Sequence, residues 1–141
     1  AGTFRGNQLA MKAGTVLLKK VSQPEFLQDV SKKGELIRAR LNALKEKVSI
    51  IGDIRGQGLM VGTEFVDPKG QKDCMGSLPA CGEIAAKVQK LCFENFLVVE
   101  KGGRNGSVMR CLCALNISEE DVNKAMDIFE KCVLQVNQEY K

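Results

Sequence analysis

The residues best placed to do chemistry open the chain: Gly2-Thr3-Phe4-Arg5-Gly6-Asn7, directly before a run with helical periodicity. A small hydroxyl residue between glycines at a helix start can present backbone N–H groups and an O–H to an anion. The same threonine would also serve as a plain helix cap. Because this loop begins the chain, it reads as half of a site whose chemistry is completed elsewhere. A second candidate is Arg110, near the end of the short apolar run Ser107 to Leu112. A guanidinium there offers planar, two-pronged recognition of a carboxylate, or else a surface salt bridge. Arg55 lies within Gly52-Asp53-Ile54-Arg55-Gly56-Gln57-Gly58. It could touch substrate or a partner domain, or pair with Asp53 or Glu64. Gly102, Gly103 and Gly106 could cradle an anion or turn a hairpin.

Other chemistries are excluded by composition. The 141 residues include no histidine, so no Ser-His-Asp or Cys-His pair can be assembled from this chain alone. A general base would have to be Lys, Asp, Glu or Tyr. The six cysteines form no C-x-x-C, which argues against structural zinc. Cys92 and Cys132 fall on apolar helical stripes, as buried reduced thiols in a cytosolic protein do. Net charge is only +4, there is no Trp and one Tyr, and lysines alternate with glutamates; nucleic acid is not an expected partner. No run of about 18 apolar residues is present, so no membrane association is expected, and the expected location is cytoplasmic. Apolar residues make up 44% of the chain, enough for the core of one domain.

Several elements must position these residues. Asn7 to Val21 has helical periodicity, with Gly14 a weak point that could mark a close approach. A second helix runs from Pro24 to about Lys47, with Val30, Gly34, Ile37, Leu41, Leu44 and Val48 on one stripe. Ile50 and Ile51 lead into the glycine-rich segment, which suggests a bulge or close backbone contact, and Leu59 to Val66 reads as a buried strand. Asp67-Pro68-Lys69-Gly70 makes a turn, and Gln71 to Pro79 an exposed loop. A third helix spans Cys81 to Glu94 and stops at Asn95. Phe96 to Val99 reads as a short buried strand, Lys101 to Gly106 as a turn-rich connection, and Ser107 to Leu112 as an antiparallel partner strand. Ser118 caps a final helix whose first turn carries Glu119, Glu120 and Asp121. The expected fold is α+β: a small three- to four-stranded, mainly antiparallel sheet with helices on one face. The first helix is expected to project away and pack on a large domain outside this sequence.

These motifs resemble those of class III aminotransferases, pyridoxal-phosphate enzymes of fold type I. The resemblance runs through Gly2 to Ala10, Ile51 to Met60, Leu97-Val98-Val99-Glu100, Val108-Met109-Arg110 and the Ser118 helix start. Gly6-Asn7-Gln8-Leu9-Ala10 and Lys101 to Gly106 are closest to the diaminobutyrate branch of that family. The resemblance implies a homodimer in which Thr3, with Gly2, binds the cofactor phosphate of the neighbouring subunit. It implies that Arg110 binds the substrate α-carboxylate, and that amino acids and 2-oxo acids, 2-oxoglutarate among them, are the small-molecule partners. The lysine that joins the cofactor in such enzymes lies in the large domain, before the threonine. It is therefore expected outside this chain, with residues 1–21 as the terminal helix of that large domain and 22–141 as the small C-terminal domain. One departure concerns the turn after the arginine, usually proline-rich in the family and here Cys111-Leu112-Cys113-Ala114-Leu115. The rival readings are a non-catalytic small-molecule-binding or regulatory α+β module, and a dimerisation module.

Overall fold

In the computed structural model, which describes residues 2–3 and 5–140, the Asn7 side chain accepts the Ala10 N–H at 3.1 Å and opens α1 (Gln8–Val21). None of α1's residues is buried, and Leu9, Leu17 and Leu18 are more than half exposed. A Cβ at Gly14 would meet nothing within 4 Å, so the close approach expected there is not made to any described residue. Pro24 starts α2 (Pro24–Lys45), where its fixed φ suits the first turn and no side chain is needed as a cap. The expected stripe is the buried one: Gly34, Ile37, Leu41 and Leu44 all face inward.

The sheet begins one strand earlier than the sequence indicates. β1 (Ile51–Gln57) and β2 (Met60–Phe65) form an antiparallel hairpin through Gly58-Leu59, with Gln57 opposite Met60. The glycine-rich stretch, expected only as the entry to a buried strand, is itself a strand. Its glycines and charges mask the strand pattern because β1 is an edge, half exposed and paired on one side only. The anticipated bulge is present as a register shift between Ile51 and Asp53. The Lys45 ammonium donates to the Gly52 carbonyl within it, at 2.7 Å. Gly58 has φ +54°, the left-handed conformation that two-residue hairpins require. Gly34 lies against the Gly58 backbone, where any side chain would collide, so α2 seats directly on the turn.

The turn at Asp67 forms as read: the Gly70 N–H donates to the Asp67 carbonyl, and the Asp67 carboxylate accepts the Lys69 N–H. α3 (Gly82–Glu94) ends at Asn95. The next residues depart from expectation, because Phe96 is not in a strand and is 97% exposed, and Val98 is 81% exposed. The reason is the helix end. Leu97 N–H donates to Cys92 O and Phe96 N–H to Phe93 O, the paired bonds of a Schellman motif, with Phe96 at φ +65°. That reversal delays pairing to β3 (Glu100–Gly102). β4 (Val108–Leu112) then pairs antiparallel with both β3 and β2, giving the order β1-β2-β4-β3.

Ser118 caps α4 (Glu119–Asn137), accepting the Asp121 N–H at 3.0 Å. Val122, Met126, Phe129, Val133 and Val136 turn inward as expected and join Ile37, Leu41, Ile84, Val88, Val61, Phe65 and Met109 in one core. All helices of that core pack on one face of the sheet. Arg40 ties α2 to α4, donating to Glu130 at 2.7 Å, Asp127 at 2.6 Å and Asn123. Lys33 is 4% exposed although it sits in a charged stretch. Its ammonium donates to the Ile117 and Leu115 carbonyls and pairs with Asp29, which pins α2 to the link between β4 and α4. No helix among the described residues is long and apolar enough to cross a membrane.

Candidate functional site

Strand alternation sorts the sheet into two faces. Val61, Thr63 and Phe65 of β2, with Met109 of β4, are buried against the helices. The opposite face carries a row set by register: Arg55 opposite Gly62, Gly62 opposite Arg110, and Arg110 opposite Glu100. Both arginines singled out in the sequence therefore stand on the open face, with one strand, β2, between them.

Arg55 is held on both sides. It donates to Asp53 at 2.8 Å and to Glu64 at 2.6 Å, so its structural reading, an ion pair, is the one realised. The Arg55 hydrogen bond holds the Asp53 carboxyl below the usual carboxylate range, and Asp53, then Glu64, raise Arg55 further above its ordinary value.

Arg110 is less committed. Its side chain is 42% exposed and its Nη2 donates to Glu100 at 2.6 Å. Its Nε is buried and has no hydrogen-bond partner among the described residues. A half-exposed guanidinium with a single carboxylate partner retains N–H groups for a planar anion. Behind the strand, on the helix side, an apolar cavity of about 270 Å³ is lined by Leu97, Val99, Cys113, Met126 and Phe129 among others. Burial pushes the Cys111 thiol there up to about 11, and it raises Cys113 as well.

Thr3 and Gly2 are exposed, in a turn closed by the Arg5 N–H donating to the Gly2 carbonyl at 3.1 Å. Thr3 does not cap α1, since Asn7 does. Among the described residues no hydrogen bond engages the Thr3 hydroxyl, and neither Thr3 nor Gly2 lines the cavity beside β4. Phe4, part of the same motif, lies outside the described residues. The glycines at 103 and 106 form a turn: Gly106 N–H donates to Gly103 O and Ser107 N–H to Arg104 O, so those amides are spent within it.

Glu100 stands in the same row and was not singled out from the sequence, where Gly102 reads only as part of an anion cradle or a hairpin turn and not as a neighbour of Arg110. The hairpin of residues 97–112 was legible, but its six-residue connection leaves the register open, and register alone places Glu100 opposite Arg110. The buried Lys33 was missed because Ser31-Lys32-Lys33 reads as a solvated face.

An antiparallel sheet backed by helices in this order is a fold found in transaminase chains. It matches a transaminase from directed evolution by ancestral reconstruction with a TM-score of 0.81, covering 100% of this chain and 30% of that one at 19% identity. It also matches an S-selective transaminase from Arthrobacter sp. with alanine bound, TM-score 0.72, covering 91% and 29% at 22% identity. The family model for aminotransferase class-III matches residues 1–133, and the chain belongs to that family. Diaminobutyrate–2-oxoglutarate aminotransferase of Haemophilus influenzae is 41% identical over 133 residues, covering 94% of this chain and 29% of the relative. The enzyme of that name from Rhizobium meliloti is 41% identical over 124 residues, covering 88% and 26%. An alanine/serine racemase of Pyrococcus horikoshii is 32% identical, covering 93% and 26%. This chain thus spans less than a third of the length of these relatives.

Proposed function

We propose that this chain is the C-terminal part of a pyridoxal-phosphate aminotransferase that moves an amino group from a diamino acid, 2,4-diaminobutyrate, to 2-oxoglutarate. In this reading residues 1–21 complete the large cofactor domain and 22–141 form the small domain of a cytoplasmic homodimer. The match to diaminobutyrate enzymes at 41% identity favours that donor. α1, which buries none of its residues, suits a helix whose packing partner is the large domain.

One observation supports a phosphate role for Thr3. The Thr3 hydroxyl is exposed, is not used as a helix cap, and stands between glycines, an arrangement suited to a phosphate. Thr3, with Gly2, would hold that phosphate across the subunit boundary. When bound, pyridoxal phosphate supplies an electron sink for the substrate's α- or ω-carbon chemistry. Arg110 would orient the substrate by its carboxylate, turning two guanidinium N–H groups to it in place of the single bond to Glu100. The lysine that joins the cofactor is assigned to the large domain. None of Lys12, Lys19 and Lys20 near Thr3 fits its place before the threonine.

The observation that carries this reading is Arg110, half exposed on the open face with an unmet Nε. The test is turnover of 2,4-diaminobutyrate with 2-oxoglutarate, followed as glutamate formed, by the whole protein and by this chain alone. Glutamate from the whole protein, little from Arg110→Gln, and none from this chain supports it. Turnover by this chain alone, or an Arg110→Gln enzyme with unaltered KM, overturns it.

A further inference from the structure

Gly102 lies directly against the Arg110 side chain. A Cβ built there would stand 3.0 Å from Arg110 Nη2, 3.3 Å from Cζ and 3.4 Å from Nε. Three guanidinium atoms nearly equidistant from one point mean that this point lies over the face of the group, not off its edge. The guanidinium is therefore stacked on the bare Cα of Gly102. The backbone does not demand glycine at this position. Gly103 and Gly106 have φ of +73° and +64°, where side chains are strained, whereas Gly102 is not in that region and is an ordinary strand residue of β3. A glycine inside a strand weakens it and is found where another group approaches closely. Here the approaching group is Arg110.

We propose that Gly102 is a positioning residue for carboxylate recognition: its missing side chain sets the height at which the Arg110 guanidinium lies above the sheet. This rests on the reading that Arg110 binds the substrate carboxylate. A methyl group at 102 meets the far end of a flexible side chain, so the fold tolerates it. The guanidinium must lift by a few tenths of an ångström, and it moves relative to Glu100 and to any anion it holds. Two-pronged recognition is sensitive to displacement on that scale.

The test compares Gly102→Ala and Arg110→Lys in the whole cofactor-loaded enzyme. Calorimetric titration with glutarate, an unreactive dicarboxylate, reads binding without turnover. Gly102→Ala is expected to weaken glutarate about tenfold and to raise the KM for 2-oxoglutarate similarly, with kcat within about twofold. Its melting temperature is expected to stay within about 2 °C of the parent. Arg110→Lys is expected to weaken glutarate at least as much. If Arg110→Lys weakens glutarate and Gly102→Ala does not, Gly102 has no positioning role and the reading of Arg110 survives. Should Arg110→Lys change nothing, both fall. A general folding defect would lower kcat through the active fraction while KM stayed put, and that pattern also overturns the proposal.

Discussion

Glu100 and Arg110 stand directly opposite each other across β3 and β4, and their side chains meet at 2.6 Å. Any carboxylate bound by Arg110 must compete with one already in place. Both side chains are about half exposed, so the pair is worth about 0.2–1 kcal/mol. Glu100→Gln is therefore expected to tighten glutarate binding by about 1.4- to 5-fold. Calorimetry at low and at physiological salt checks this. The gain should shrink as salt rises, because screening already weakens the competing pair.

Lys33 carries a structural prediction. Its bonding partners are the Ile117 carbonyl at 2.8 Å, the Leu115 carbonyl at 3.4 Å, and the half-exposed Asp29 carboxylate. The link they belong to contains no proline, since the three prolines are Pro24, Pro68 and Pro79, so its shape depends on such bonds. Lys33→Met keeps the stem and removes the donors, leaving carbonyls unmet, and should cost about 2–3 kcal/mol. Urea unfolding of this chain measures it, and hydrogen exchange should show protection falling first at the backbone amides of residues 115–118.

Phe96 bears the opposite sign. It occupies the left-handed position of a Schellman motif, where glycine is the usual residue, and its ring is 97% exposed. Phe96→Gly removes strain at φ +65° and takes away a side chain that packs on nothing in this chain. The expected gain is about 0.5–1 kcal/mol, read as a raised melting temperature.

Thiol chemistry gives a pH prediction. Burial, and then the neighbouring Cys132, pushes Cys92 up to about 12, and burial pushes Cys111 up to about 11. In the unfolded chain these thiols ionise at about 8.5. Between about pH 9 and 11 the unfolded chain releases protons that the folded one keeps, so stability falls as pH rises. The urea midpoint should drop across that window, and drop less in Cys92→Ala. Ellman's reagent should label exposed Cys74 quickly at neutral pH, whereas Cys92 and Cys132 should react only on unfolding.

Much of this architecture was legible in the chain, and the reasons differ by element. α2 and α4 announced themselves because three- and four-residue spacing maps directly onto a buried stripe, and because Ser118 with three acids after it is an unmistakable helix start. β1 was not legible, since an edge strand with a bulge carries glycines and charges where a central strand carries valines. β3 was misplaced by three to four residues because apolar character at Phe96 and Val98 reads as burial, whereas the helix end turns both outward. Arg110 could be singled out by its type and its neighbours. Its relation to Glu100 and Gly102 could not, because cross-strand partners depend on register, which no local pattern in a six-residue connection specifies.

α1 has a dynamic consequence. A helix of 14 residues that buries none of them draws no support from the hydrophobic core, and helices of that length are marginal in water. Its hydrogen bonds will open and close independently of the sheet and of the three helices behind it, so the amides of α1 will exchange with solvent far faster than those of β2 or β4. Exchange rates are therefore expected to change sharply at Ser22-Gln23, just before Pro24.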